Sequence, residues 1–119
     1  MAILYKDLYL DQGSSFNQNI IVKDKFGNIM NLVNYTISSS AKISYIEPNT
    51  VLFFAGSVID GANGIINLQT SSQNTSNLPI VPSTIVYDVL ATDLSNNVTR
   101  IVEGKIFIQP GVTGITLSY

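Results

Sequence analysis

Apolar residues in this chain alternate with polar ones over short runs, and the runs recur about every ten residues. Each run is rich in Ile, Val, Tyr, Phe and Thr and is bounded by Gly, Asn, Asp or Pro, which is the signature of antiparallel strands joined by tight turns. The pattern predicts strands at 3–10, 16–23, 35–45, 50–58, 65–69, 83–93 and 99–109. No long window carries a helical period, and the polar stretch 70–79 is the one place for a short helical turn, with Ser/Thr caps before it and Pro79 after it. The expectation is an all-β fold: an antiparallel sandwich or barrel of about seven strands.

Turn chemistry supports these boundaries. The segment "DKFGN" places Gly27-Asn28 where a positive φ is needed, and "DGANG" does the same between the fourth and fifth runs, with Asp60 read as an Asx-turn residue. Calcium is not favoured there, because residues 60–70 supply no further acids and no distal Glu.

The segment "DLSNNVTRIVEG" (93–104) poses the sharpest question: binding loop or hairpin bend. With 94–97 as a four-residue loop, Asp93 faces Val98, Leu90 faces Ile101, Val89 faces Val102, Asp88 faces Glu103 and Tyr87 faces Gly104. One face then carries Tyr87, Val89, Ala91, Val102, Gly104 and Ile106, a good core face, and a one-residue slip would exchange the faces. The stretch reads as a hairpin, with Gly104 leaving room for the Tyr87 ring. The opposite face carries Val86, Asp88, Leu90, Ile101, Glu103 and Lys105. Its Val86, Leu90 and Ile101 form an apolar strip, which either the same chain or a partner covers.

Composition narrows the functions. The chain has 119 residues, enough for one core. Only 12% of residues are charged, and the net charge of −2 opposes self-association weakly. Five Lys and one Arg, spread along the chain, form no basic stripe, so nucleic acid is not an expected partner. Nor is a membrane, since the longest apolar run is "VLFFA" and "MAILYKDLYL" is too short and too charged for a signal peptide. Sequons at Asn34, Asn74 and Asn97 read as chance matches in an Asn- and Thr-rich chain.

There is no Cys and no His, which removes disulfides, thiolates, the commonest general base and the commonest transition-metal ligand. No cofactor or metal is expected. Asp88 and Glu103 are the one candidate carboxylate pair, at a separation that would suit a retaining glycosidase. Against it, Arg100 and Lys105 stand ready to neutralise the two acids on a solvated face, and no aromatic platform is evident beside them. The expectation is a non-enzymatic protein. Six Tyr and five Phe could form a saccharide strip, with Tyr5 and Tyr9 sharing strand parity, but such residues more often pack the core.

Laid out in this order, the segments resemble a family of small Ig-like β-sandwich domains in tailed-bacteriophage structural proteins of the tail, baseplate or fibre. "LYLDQGSSFNQNIIVKDKFGNIMNLVNYTI" is similar to the family's opening strand, Gln-Gly-Ser turn, Asp-x-x-Gly-Asn hairpin and Leu-x-x-Tyr-Thr approach to the next strand. "SVIDGANGIINLQTSSQNTSNLP" resembles its Gly-rich hairpin and polar helical turn, and "VYDVLATDLSNNVTRIVEGKIFIQPGVT" its closing hairpin. The region from Ser38 to Phe54 departs from the pattern, offering only Lys42 where a more basic strand is expected, and Gly114 stands where Arg often follows Thr113.

The resemblance implies an Ig-like antiparallel β-sandwich over 1–110, with 111–119 as an arm or extra strand. It implies a virion component, assembled in the host cytoplasm, that connects or decorates tail, baseplate or neck parts. Its partners would be other virion proteins and further copies of itself in a symmetric assembly. Val86, Leu90, Ile101, Lys105, Ile115, Leu117 and Tyr119 are then the expected interface. Asp93, Asn97 and Arg100 shape a loop, with Arg100 bonding Asp93 or a neighbouring chain. The alternative is a carbohydrate- or receptor-binding module of the same fold.

Overall fold

The computed structural model describes residues 3–78 and 84–110. All seven expected runs form strands, and the first is split in two: β1 (Leu4–Tyr5), β2 (Leu8–Asp11), β3 (Phe16–Ile21), β4 (Thr36–Lys42), β5 (Thr50–Asp60), β6 (Ile65–Thr70), β7 (Thr84–Thr92) and β8 (Val98–Gln109). A 3-10 turn at Gly61–Asn63 joins β5 to β6, and a single helical turn at Ser72–Ser76 follows β6. Ser71 caps that turn by accepting from the Asn74 N–H at 3.2 Å, as the Ser/Thr pattern anticipates.

The fold is all-β. The strands run β1-β8-β7-β4-β5-β6-β3, with β2 also on β8, in one hydrogen-bonded path that curls into a half-barrel. β5 makes the curl: residues 50–54 pair with β4, whereas residues 55–60 pair with β6. Its alternation buries Leu52 and Phe54 toward the concave side. There the Phe54 ring meets Phe16 at 5.5 Å and Tyr87 at 6.4 Å, tying β3, β5 and β7 together. Leu8, Leu10, Ile20, Ile66, Leu68, Ile85, Val89, Val102 and Ile106 fill the same interior from alternate strand positions.

Pairing of β1 and β2 with β8 is parallel, so the first and last described strands lie side by side and run the same way. The split at Lys6-Asp7 has a specific cause. The Lys6 carbonyl turns inward over Gly104 and accepts the Tyr87 hydroxyl at 2.6 Å, while the Asp7 carboxylate accepts the Lys105 N–H at 3.2 Å. A Cβ at position 104 would lie 2.7 Å from the Lys6 carbonyl carbon and closer still to its oxygen. Gly104 faces Tyr87 as expected, and it is also needed for a backbone approach, by Lys6, that the sequence does not reveal.

Two turn expectations are also refined. At "DKFGN" only Gly27 takes the left-handed conformation (φ 83°). At "DGANG" the Asp60 carboxylate accepts the Asn63 side-chain amide at 2.8 Å in place of an Asx turn to the backbone, and Gly64 (φ 66°) carries the left-handed residue.

Candidate functional site

The outer face of β5-β4-β7-β8-β1 brings together most of the side chains singled out by sequence. Register runs straight across the sheet: Phe53 lies opposite Ser40, Ser40 opposite Asp88, Asp88 opposite Glu103 and Glu103 opposite Tyr5. This transverse row crosses five strands, with a ring at each end and hydroxyl and carboxylate groups between. The neighbouring row holds Lys42, Val86 and Lys105, and beyond it Phe107 stacks on Tyr9 with centroids 5.3 Å apart. Tyr45, from the segment after β4, completes a cavity of about 120 Å³ with Ser40, Lys42, Val86, Asp88 and Arg100. Partial burial, and after it the Glu103 carboxylate, push the Tyr45 phenol above its ordinary range.

The hairpin register answers the question raised by "DLSNNVTRIVEG". From Tyr87↔Gly104 through Val89↔Val102 the pairing is the expected one. A bulge follows Val89, after which Leu90 faces Arg100 and Thr92 faces Val98. Ile101 is the extra residue, and its side chain turns inward beside Val102, both at 0% exposure. The expected outer pairing of Leu90 with Ile101 is thus corrected: Ile101 belongs to the core. Val86 and Leu90 remain half-buried on the outer face, and Lys105 is exposed there. Ile115, Leu117 and Tyr119, with the proposed arm 111–119, lie outside the described residues.

Arg100 neutralises one of the two acids, as expected, and does not bond Asp93. By facing Leu90 it reaches Asp88, with Nε 3.1 Å from Oδ2. This half-exposed pair contributes about 0–1 kcal/mol, so it orients the two groups more than it stabilises the fold. Asp93 is occupied by its own loop: its Oδ1 accepts the N–H groups of Ser95 (2.8 Å) and Asn97 (2.9 Å), and its Oδ2 accepts the Asn97 amide at 3.3 Å. Those bonds hold the Asp93 carboxyl below its ordinary pKa, led by the one from the Asn97 backbone. The loop is a bend, with Asp93 and Asn97 shaping it.

Chemically, the face offers an Asp–Arg pair, a second carboxylate and hydroxyls, framed by aromatic rings. Among the described residues no cluster of three His, Cys, Asp or Glu could hold a metal ion. The expectation that aromatics pack the core holds for Phe16, Phe54 and Tyr87; Tyr5, Tyr9, Tyr45, Phe26, Phe53 and Phe107 are exposed, with Phe53 at 69% and Tyr9 at 73%. The signal for four of these lay in strand parity: Tyr9 alternates with the buried Leu8 and Leu10 and Tyr5 shares its parity, Phe53 alternates with Leu52 and Phe54, and Phe107 shares parity with Glu103 and Lys105.

A second concavity, of about 620 Å³, lies on the other side of Phe53, where β5 passes from β4 to β6. Asn17, Gln69, Asn74, Ser15 and Ser71 line it with amides and hydroxyls. No protein-family model and no curated protein matches the chain.

Proposed function

We propose that this chain is a non-enzymatic assembly module of a tailed-phage virion, connecting or decorating tail, baseplate or neck parts through its sheet face and edges. In this reading the curled sheet is an Ig-like sandwich whose two layers share β5, an assignment supported by the switch of its pairing partner between Phe54 and Ala55. The observation that carries the function is the amount of large apolar surface left open on a chain with so few charges. Phe53, Tyr9, Tyr5, Phe26, Ile46 and Leu94 are each more than half exposed. Four exposed rings, Phe53, Tyr5, Tyr9 and Phe107, share the outer sheet face, and apolar groups gathered on one face mark a contact surface.

The test is the solution mass by light scattering, for the full chain and for a chain ending at Pro110. A defined oligomer of the full chain supports the reading, and its loss on truncation would make 111–119 the arm. Folded monomers in both cases, up to high concentration, would count against self-assembly.

The carbohydrate-binding alternative is favoured by one observation, the row that places Phe53, Tyr45 and Tyr5 around hydroxyl and carboxylate groups. Rings stack on sugar faces, and polar neighbours fix the hydroxyls. Chemical-shift changes at Ser40 and Asp88 on titration with neutral oligosaccharides, by a monomeric chain, would move the conclusion to that reading.

A further inference from the structure

Among the described residues the curled sheet ends in two edges, and they are built differently. On one side, β1 and β2 are only two and four residues long, interrupted at Lys6-Asp7 and carrying charges at Lys6, Asp7 and Asp11. Short pieces, a kink and charges are the devices by which sheets avoid edge-to-edge pairing. On the other side, β3 (Phe16–Ile21, FNQNII) has none of them. Its six residues pair with β6 from Phe16↔Thr70 to Ile21↔Ile65 without a register shift, and they include no charge, Pro or Gly. Among the described residues nothing pairs with its outer side.

We propose that β3 is the contact through which a second copy of this chain docks, the two strands pairing antiparallel across a two-fold axis; this rests on the assembly reading and locates its interface. Three observations point to a second copy. An isologous contact brings two copies of one strand together, so charge on the strand would meet charge of the same sign, and β3 carries none. The outward-facing Asn17 and Asn19 each accept the Asn67 amide on Oδ1, at 2.6 and 2.8 Å, and each has its NH₂ and a second Oδ1 lone pair for a further bond. An amide carries both donor and acceptor, so identical strands satisfy one another, forming an Asn ladder. Finally, Ile21 is 49% exposed on that same outer face and gains cover from a neighbour.

Parity restricts the register to alternate settings, and centring on Gln18 is the one that brings the two large inward side chains, Phe16 and Ile20, together. Inward residues must oppose inward ones, so paired residue numbers sum to an even value. Centring on Gln18 sets Asn17 against Asn19 of the second copy on the outer face and Phe16 against Ile20 on the inner. Gln18 alone then faces itself.

The chain contains no Cys, so single-Cys variants report this directly. Opposed residues in an antiparallel pair have Cα atoms about 4.5–5.5 Å apart, within disulfide range. Full-length Gln18→Cys is expected to cross-link to a dimer under mild oxidant, and Asn63→Cys, at the distant β5–β6 turn, is not. A mixture of Asn17→Cys and Asn19→Cys chains is expected to link to each other far more than to themselves, which keeps the test decisive if Gln18→Cys folds poorly. Ile21→Lys is expected to weaken dimerisation roughly tenfold or more.

Failure of the Gln18 and Asn17/Asn19 pairs to link faster than Asn63→Cys overturns the proposal. If the full chain is nevertheless oligomeric, only the β3 contact falls and the assembly reading stands; if it is monomeric, both fall. Cross-linking that appears only after truncation at Pro110 would show that residues 111–119 of the chain itself occupy the edge, and would also overturn it.

Discussion

The β7–β8 hairpin is held at its tip and at its middle by different physics. At the tip, Asp93 to Asn97 closes on itself: the Asp93 N–H donates to the Asn97 carbonyl at 3.0 Å, the Asn96 N–H donates to the Asp93 carbonyl at 3.1 Å, and Asn96 sits at φ 65°. The same ring of bonds recurs at Asp24 to Asn28, with Gly27 in the left-handed position and matching contacts to the Asp24 carboxylate. One of these loops joins two long strands, and the other joins a single bridge, Lys23↔Ile29. A turn that survives such different surroundings is determined by its own five residues. At the middle of the hairpin, Tyr87 and Gly104 are fixed by a residue far away in sequence, Lys6, whose carbonyl meets both. Local chemistry makes the tip, and a distant backbone makes the middle.

Glycine-to-alanine substitutions separate the two cases most sharply. Gly104→Ala drives a Cβ into the Lys6 backbone, where relief requires moving β1 and β2, so it should cost about 3 kcal/mol or more in urea unfolding. Gly27→Ala meets nothing within 4 Å and costs only the left-handed conformation, about 1–2 kcal/mol. Equal losses at the two sites would break the distinction.

Tyr87→Phe removes the hydroxyl from the Lys6 carbonyl and keeps the ring, so about 1–2 kcal/mol should be lost. Burial also pushes the Tyr87 phenol well above its ordinary range, so this tyrosine should resist ionisation in an alkaline absorbance titration until the fold opens. At the tip the effect has the opposite sign. Asn96→Gly, replacing a tolerated left-handed residue with an unstrained one, should stabilise by up to about 1 kcal/mol.

The smallest effect is a pH dependence shared by the two loops. Hydrogen bonds from their own backbones, from Asn28 and Asn97 first, lower the Asp24 and Asp93 carboxyls below the ordinary carboxylate range. A carboxyl lowered on folding adds stability that is fully present above its unfolded pKa and is lost as pH falls through its folded one. The urea midpoint should therefore fall on acidification below about pH 4, and less steeply in Asp93→Asn. A slope unchanged by that substitution would remove Asp93 from the account.

How far this was legible in the sequence follows the same division. Strand positions, the capped turn after β6, the Asp-led loops and the Asp88–Glu103 rung all rest on neighbours close along the chain or on strict alternation. The bulge that moved Ile101 into the core was not legible. The loop closes one residue earlier than a four-residue turn would, at Thr92↔Val98, and the extra residue that restores the register could have sat at several positions. From the sequence, Arg100 is expected both to neutralise the acids and to bond Asp93; facing Leu90, it reaches Asp88, and Asp93 is already filled by its own loop. Nor did composition reveal how many rings stand exposed, because parity tells which residues share a face but not which face is covered.

The sequence by itself determined the all-β class, the places where the chain turns and the absence of Cys and His, because these depend on residue type and short-range periodicity. Only the tertiary structure decided that the first run breaks at Lys6-Asp7 and pairs parallel with β8, that Gly104 serves a carbonyl, and that β5 is shared between β4 and β6. Each of these depends on which strand lies alongside which, and no residue carries that information until the sheet has curled.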